Sequence, residues 1–252
     1  MTNRNVNSNP QIGACYALVS VLMVSGAALS WPWGALLLWP ATSCAILAIA
    51  YFGAGPGIYR KRRGQLSLLV RFFMAPVLVG QELSLRYYRR HGRPWDEATP
   101  ELFMGRILDD HEAAQLVASG VNSVVDLTAE FSENDVLRDQ TTYFNLPVLD
   151  LTAPTTTQLH RAVTFIRENT KTGVVYVHCK IGYSRTAAVV GAYLMAAGHA
   201  ADADEAMAQM RKARSPLVIR PEVVTALHAF HARRPDPIAD TPDTGRQANN
   251  LG

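Results

Sequence analysis

The sequence predicts an α/β fold with a largely parallel central sheet, preceded by an N-terminal transmembrane helical hairpin. Two long uncharged apolar runs fill most of residues 14–54. Between residues 96 and 232, short β-branched apolar segments alternate with segments of helical periodicity, which indicates strands joined by helices that cover the sheet. A strand at 173–178 that leads into a Gly-containing loop and an Ala-rich helix locates the candidate functional site.

The hairpin prediction rests on residues 14–30 and 35–54, which contain no charged residue. At about 1.5 Å per residue, each run is long enough to cross a hydrocarbon core of roughly 30 Å. A cleaved signal peptide would have a more basic start than the single Arg4, and a buried soluble hairpin would not stay uncharged for so long. Tryptophans, which are typical of a membrane interface, lie in or beside the runs: Trp31, Trp33 and Trp39.

Charge is distributed unevenly along the chain. Residues 1–100 hold 10 Lys/Arg against 3 Asp/Glu, whereas the remainder holds 14 against 18. The basic surplus therefore belongs to the apolar part, where it is typical of membrane flanks and not of a nucleic-acid site, so no nucleic-acid partner is expected. The basic cluster at 59–63 follows the second run directly, and the positive-inside rule places both termini of the hairpin in the cytoplasm.

A third apolar stretch, residues 65–85, is interrupted by Arg71, Pro76 and Glu82 and is flanked by basic residues on both sides. Two basic flanks favour a helix that lies in the membrane interface over a third crossing. A crossing helix would move the following domain to the other side. The predicted organisation is a disordered N-terminus (1–13), two transmembrane helices (14–54), a basic interfacial segment and linker (55–95), a globular domain (96–232) and a disordered tail (233–252).

Within the globular domain, apolar β-branched runs predict strands, and amphipathic stretches predict helices. Gly120 and Gly198 follow two of the helices as expected C-terminal caps. The predicted strands are 102–107, 121–127, 142–147 and 173–178, and the predicted helices are 109–119, 155–169, 186–197, 201–213 and 221–231.

The loop after the strand at 173–178 combines a thiol and a guanidinium at close spacing. A loop at the carboxyl end of a strand and the N-terminus of a helix presents backbone N–H groups to an anion, and this setting also favours a thiolate. Five residues separate Cys179 from Arg185, so the loop can curl with the sulfur at its floor, and Gly182 permits the torsions. Cys15 and Cys44 lie in apolar runs, so a disulfide framework is not expected.

Residues 178–186 resemble the signature of the cysteine-dependent protein tyrosine phosphatase superfamily, which is His-Cys, any five residues, Arg, then Ser or Thr. The chain is most similar to the compact dual-specificity branch over about 100–232. Further resemblance lies at residues 120–127, 205–206 and 214–216. The resemblance implies a three-layer sandwich, a phosphoric monoester hydrolase and no metal or cofactor.

The resemblance also implies a role for each residue of the motif. Cys179 would form a phosphocysteine intermediate, Arg185 would bind the phosphoryl oxygens, and the Thr186 hydroxyl would hydrogen-bond the sulfur. His178 would support the loop. The backbone of the loop would bind the substrate phosphate through Lys180, Ile181, Gly182, Tyr183, Ser184 and Arg185.

The family takes its general acid from an upstream loop, where this chain offers Asp150. Asp126 and Asp139 are poorer candidates, because one ends an earlier strand and the other lies in a polar segment. Asp150 could instead cap the next helix, although Thr155 is closer to that position.

Simpler interpretations of the motif remain open. Cys179 could be a small buried hydrophobe, Arg185 a structural ion-pair residue and Lys180 a solvated charge. Tyr183 could be a surface aromatic or a wall of the pocket mouth.

The expected substrate is a phosphorylated lipid, because a membrane hairpin anchors the domain and the motif reads His-Cys-Lys, as in lipid-directed relatives. Those include tensin-homologue phosphoinositide phosphatases and phosphatidylglycerophosphate phosphatases. Tyr183 stands where they carry a basic residue, which favours a simple monoester such as phosphatidylglycerophosphate over highly phosphorylated inositol lipids.

Other functions remain possible from the sequence. The first is a membrane-tethered dual-specificity protein phosphatase, and the second is an inactive phosphate-binding module. Rhodanese or arsenate reductase chemistry also uses a Cys on an anion-binding loop, but neither needs the acid at 150. The expected location is a bacterial inner membrane with the catalytic domain in the cytoplasm.

Overall fold

The computed structural model describes residues 8–90 and 92–233, so the predictions for 1–7 and for the tail beyond 233 lie outside the described residues. Its first helix, α1, spans Pro10–Leu29 and corrects the predicted disorder of residues 10–13. The helix starts early because Pro10 suits a first turn and the Asn9 side chain accepts a hydrogen bond from the Ile12 N–H at 3.4 Å.

The second helix, α2, spans Leu38–Ile49 and continues through π and 3₁₀ turns to Tyr59. It packs closely on α1, since the Ser20 hydroxyl donates to the Ala41 carbonyl at 2.9 Å. The 3₁₀ turn that precedes α2 (Trp33–Leu37) is also close to α1, because a Cβ at Gly34 would lie 2.5 Å from the Ala27 oxygen. Within residues 8–90 and 92–233, three helical segments are long and apolar enough to cross a membrane: Pro10–Leu29, Trp33–Tyr59 and Leu68–Arg89.

The third of these, α3 (Leu68–Arg89), contacts the globular domain near both of its ends. Arg71 donates to the Ser132 hydroxyl at 2.9 Å, and Arg89 donates to the Ile107 carbonyl at 3.3 Å. The helix therefore runs along the domain, while its first turns pack on α2. Its exposed face carries large apolar side chains: Leu68, Leu69, Phe72, Phe73, Val79 and Leu83.

The globular domain is built on a five-stranded sheet with strand order β1-β2-β5-β3-β4. All neighbouring strands are parallel except the β1–β2 pair, so the predicted α/β class and largely parallel sheet are confirmed. The strands are β1 (Trp95–Thr99), β2 (Leu102–Arg106), β3 (Val121–Thr128), β4 (Thr142–Val148) and β5 (Val174–Cys179). The edge strand β1 was not predicted, because its sequence lacks an apolar alternation.

Helices cover both faces of the sheet. Because side chains alternate along a strand, Val175 and Val177 of β5 enter one core cluster with Ile166, whereas Tyr176 enters a second cluster with Leu116 on the opposite face. This arrangement gives the predicted three layers. The helices are α4 (Asp110–Ala118), α5 (Asp135–Gln140), α6 (Thr156–Asn169), α7 (Ser184–Ala196), α8 (Ala203–Ala213) and α9 (Pro221–His231). The short polar α5 was not predicted.

Candidate active site

The loop between β5 and α7 lies at the carboxyl end of a central strand, with β2 and β3 on either side. Gly182 adopts a φ of +78°, and a Cβ at this position would lie 2.4 Å from the Gly105 carbonyl carbon. Backbone atoms cannot rotate away as a flexible side chain does. The loop therefore curls against β2 in a form that requires glycine.

Cys179 and Arg185 line the same pocket, whose volume is about 400 Å³. Both side chains are nearly fully buried, at 4% and 2% exposure. The thiol and the guanidinium thus face one hollow of a size suited to a phosphate group and part of its ester. Asp150, Lys180, Tyr183 and Ser184 line the same pocket.

The electrostatics of the loop favour the reactive form of the thiol. Burial opposes ionisation of Cys179, but the Arg185 charge and hydrogen bonds from Thr186 and the Ile181 backbone outweigh it, and together they lower the thiol pKa. A thiolate at neutral pH is a nucleophile, whereas a thiol is a poor one. The Thr186 hydroxyl and backbone N–H are both within reach of the sulfur.

Arg185 is held from behind by a carboxylate that the sequence analysis did not single out. Glu130, which follows β3, accepts two hydrogen bonds from the guanidinium, at 2.7 and 3.1 Å. The Val148 carbonyl accepts a third at 2.9 Å. Both ionic side chains are buried, so this bidentate pair fixes the guanidinium plane at the pocket floor. Arg185 is therefore an ion-pair residue and a pocket residue at once.

Asp150 lies on the loop after β4, and its Oδ1 is 3.2 Å from Arg185 Nη2. Of the three aspartates considered, it alone lines the pocket: Asp126 is fully buried in another network, and Asp139 pairs with Arg138 on α5. Thr155 caps α6 with a reciprocal capping box, so Asp150 does not serve as that cap.

The loop that carries Asp150 is attached to the first two helices. The Tyr51 hydroxyl donates to the Asp150 carbonyl at 2.9 Å, and the Asn9 amide donates to the Leu151 carbonyl at 3.4 Å. Leu151 has a φ of +57°, which is unfavourable for a bulky side chain. These contacts place the loop that carries Asp150 and Leu151, called the acid loop below, directly against the domain ends of α1 and α2.

The pocket mouth is partly aromatic. The Tyr183 ring meets Tyr88 of α3 edge-on at 6.5 Å, and the Arg214 guanidinium lies 5.9 Å from the ring centre. Arg214 also donates to the Ile181 carbonyl at 3.3 Å and to Asp96 at 2.6 Å, which ties the loop to β1. Tyr183 is thus a wall of the mouth.

Two further loop residues have distinct surroundings. Lys180 is only 5% exposed, and within the described parts of the chain its ammonium has no hydrogen-bond or ion-pair partner, so its charge is available to the pocket. The Ser184 hydroxyl donates to the Val218 carbonyl at 2.9 Å and accepts from the Arg220 N–H at 3.1 Å. That pair of bonds fixes the segment after α8 against the start of α7.

His178 is completely buried, and its Nε2 lies 2.6 Å from Glu133 Oε2. It stacks on Tyr176 at 5.3 Å, while the Tyr176 hydroxyl donates to the Arg106 carbonyl at 2.5 Å. The side chain points away from the pocket, so it holds the strand end that carries Cys179.

Several site residues escaped the sequence analysis. Glu130 follows the end of β3, which lies beside the strand that carries the loop. A carboxylate at the carboxyl end of a strand could have been predicted from the sequence as a site residue. The contributions of Tyr51 and Tyr88 depend on tertiary packing, and no local pattern marks them. Arg214 lies in the 214–216 segment that resembles the family, but its contact with the loop is known only from the structure.

A thiol of lowered pKa at the end of a central strand, with a fixed arginine and a nearby aspartate in the same pocket, defines a site of the cysteine-dependent phosphatase class. The family model "Dual specificity phosphatase, catalytic domain" matches residues 102–233, which is more than half of the chain. The chain belongs to this family of phosphoric monoester hydrolases.

Named relatives agree with that assignment. The rat "Phosphatidylglycerophosphatase and protein-tyrosine phosphatase 1" is 42% identical over 88 residues, covering 34% of this chain and 45% of that protein. The match thus spans less than half of the rat protein. The human protein of the same name is 30% identical over 174 residues, covering 65% of this chain and 86% of that protein. The crystal structure of PTPMT1 in complex with PI(5)P has a TM-score of 0.52 at 27% identity and covers 56% of this chain and 96% of that one.

Proposed function

We propose that this protein is a membrane-anchored phosphatase that hydrolyses phosphate monoesters through a phosphocysteine intermediate. The observation that carries the proposal is the single hollow shared by the Cys179 thiol and the Arg185 guanidinium, at the end of β5. A thiolate of lowered pKa and a fixed cation are what attack on a phosphate dianion requires.

The proposed reaction has two steps. The Cys179 thiolate attacks phosphorus, an S–P bond forms, the P–O bond to the leaving group breaks, and the leaving oxygen takes a proton from Asp150. Water then attacks phosphorus, the S–P bond breaks, and Asp150 takes the proton from water while the thiolate is restored. Arg185 and the loop N–H groups stabilise the charge on the phosphoryl oxygens in both steps, and the Thr186 hydroxyl stabilises the departing sulfur.

The proposed substrate is a phosphorylated lipid headgroup, such as that of phosphatidylglycerophosphate. The acid loop contacts Tyr51 and Asn9, and α3 supplies Tyr88 to the pocket, so the mouth lies beside the apolar helices. Lys180, whose ammonium has no partner in the part of the chain that the structure describes, adds positive charge for a phosphate. The names of the relatives and the PI(5)P complex point in the same direction.

We also propose the membrane arrangement predicted from the sequence, with α1 and α2 as a transmembrane hairpin and the domain in the cytoplasm at a bacterial inner membrane. In this arrangement α3 lies in the interface. Contacts of both ends of α3 with the same domain support this position, and its exposed apolar face suits the headgroup boundary.

The test uses the full chain in detergent micelles and in vesicles. Hydrolysis of an aryl phosphate should persist in a metal chelator and disappear in Cys179→Ser. Activity that survives this substitution would refute the mechanism, and an inactive wild type that still binds phosphate would favour the binding module.

Substrate class is decided by comparing phosphatidylglycerophosphate in vesicles with phosphopeptides, together with the lipid profile of a strain that lacks the gene. Accumulated phosphatidylglycerophosphate would support the lipid substrate. An unchanged profile with efficient phosphopeptide hydrolysis would favour the membrane-tethered protein phosphatase, which the second half of the relatives' name also suggests.

A further inference from the structure

We propose that Lys61, in the segment between α2 and α3, is a positioning residue of the active site. It acts through Asp126 and His178 on the strand end that carries Cys179. The inference rests on the proposed role of Cys179 as the nucleophile. Among the described residues, the acceptors of the Lys61 ammonium belong to Asp126 and Thr128, and neither residue lines the pocket, so its action on the reaction is indirect.

The Lys61 side chain enters the globular domain, although it belongs to a basic segment that flanks the apolar helices. It is 2% exposed, unlike its neighbours Arg62 and Arg63, which are exposed. Its ammonium donates to Asp126 Oδ2, to the Thr128 carbonyl at 3.1 Å and to the Thr128 hydroxyl at 3.0 Å. All three ammonium protons therefore have acceptors at the end of β3.

The backbone around Lys61 is shaped for this insertion. Arg62 and Gln65 form an antiparallel bridge, and the turn between them has positive φ values at Arg63 (47°) and Gly64 (76°). A Cβ at Gly64 would lie 2.9 Å from the Tyr143 hydroxyl. The turn therefore fits closely against β4.

Asp126 needs a buried cation. It is completely buried, and its Oδ1 accepts from the Thr128 N–H and hydroxyl, both at 2.7 Å. Its Oδ2 accepts from Tyr143 at 2.5 Å as well as from Lys61. A buried carboxylate without a countercharge is strongly destabilising, so Lys61 neutralises a charge that the fold would otherwise not tolerate.

Asp126 also lies next to the catalytic strand. In the parallel β3–β5 pairing, Asp126 is the register partner of His178, and its Oδ1 is 3.9 Å from His178 Nε2. The other acid facing His178, Glu133, donates its N–H to the Gly64 carbonyl at 2.7 Å. The segment 61–64 thus holds both acids that face His178, one through a side chain and one through the backbone.

The charges near the thiol set the direction of the expected effect. Lys61, Asp126, Glu133 and Tyr176 face His178; Arg185, Asp150, Lys180 and Glu130 lie around the pocket that holds Cys179. Removal of Lys61 takes one buried positive charge from this set. The Asp126 carboxylate is then left without its cation beside the strand end that carries Cys179. This uncompensated negative charge disfavours the thiolate, so a higher pH is needed to populate it.

The experiment compares the full chain with Lys61→Met, Lys61→Arg and the matched control Arg62→Met, which removes an exposed cation from the same turn. The pH dependence of Cys179 alkylation by iodoacetamide and of aryl phosphate hydrolysis is measured beside the thermal midpoint. We expect the acidic limb of both profiles to move up by about 0.5 pH unit or more in Lys61→Met. It should return towards wild type in Lys61→Arg and not move in Arg62→Met.

The outcomes separate the inference from the proposed function. If Lys61→Met lowers the thermal midpoint but leaves the pH profiles of alkylation and hydrolysis unchanged, Lys61 only stabilises the fold, and the inference is overturned. Wild-type activity that survives Cys179→Ser overturns the proposed function instead. If Lys61→Met does not fold, the double variant Lys61→Met/Asp126→Asn is used, because it removes both buried charges. Its failure to restore folding would overturn the pairing with Asp126.

Discussion

Replacement of Gly182 by alanine isolates the contribution of loop shape to catalysis. An L-residue at a φ of +78° costs about 1–2 kcal/mol. In addition, the new Cβ would lie 2.4 Å from the Gly105 carbonyl carbon and 2.5 Å from its oxygen. Ordinary contact lies about an ångström further out, so the loop must shift by that order. Since a misplacement of about 1 Å can cost about 100-fold in rate, kcat/KM for an aryl phosphate should fall at least that far.

Gly198 provides the matched control. It follows α7 with a φ of +80°, and a Cβ there would meet no heavy atom within 4 Å. Gly198→Ala therefore carries the same backbone cost without a collision near the pocket. Both variants should lower the thermal midpoint, Gly182→Ala by more, but only Gly182→Ala should lose activity. Equal kcat/KM values for the two variants would refute the argument that the loop must curl against β2.

Four further predictions concern individual contacts. Asp150→Asn should slow phenyl phosphate hydrolysis about 100-fold or more but p-nitrophenyl phosphate far less, because the latter leaving group needs no proton; equal losses would remove Asp150 as the acid. Burial raises the pKa of the Cys179 thiol, and the Arg185 charge opposes this rise. Arg185→Met should therefore move the acidic limb of iodoacetamide alkylation to higher pH. An unchanged limb would contradict the role of that charge. Tyr51→Phe removes one hydrogen bond to the acid loop and should raise the activation free energy of phenyl phosphate hydrolysis by about 0.5–1.5 kcal/mol. An equal rise for p-nitrophenyl phosphate would argue that Tyr51 does not position the acid. Spin labels along α3 should report shallow depths that follow the helical period; a single deep maximum at the middle of the helix would show a crossing.

Much of the fold was predictable because local patterns agree with the final structure. The strand at 174–179 is a continuous apolar run, as a strand buried on both faces must be. Thr155 and Asp109 both begin helices as N-caps with glutamine or glutamate three residues later. By contrast, β1 is a short edge strand whose position depends on pairing with β2, and its own sequence does not alternate.

The candidate site was predictable only where the chain supplies it contiguously. Cys179 ends β5 and Arg185 lies in the first turn of α7, so only a short loop separates them and their spacing is visible in the sequence. Glu130 reaches Arg185 from 55 residues away, and its partner is known only once β3 and β5 lie side by side. Lys61 sits in a cluster of basic residues, and nothing local distinguishes the buried lysine from its exposed neighbours.

The hydrogen bonds from Tyr51 and Asn9 to the acid loop have a consequence for when the enzyme becomes competent. A copy whose first helices are not yet inserted would lack the two contacts that hold Asp150 and Leu151 in place. Such a copy would be a poor general-acid catalyst towards soluble phosphate esters during synthesis. Under the proposed membrane arrangement, the fastest turnover would therefore belong to copies whose first helices have already assembled against the domain.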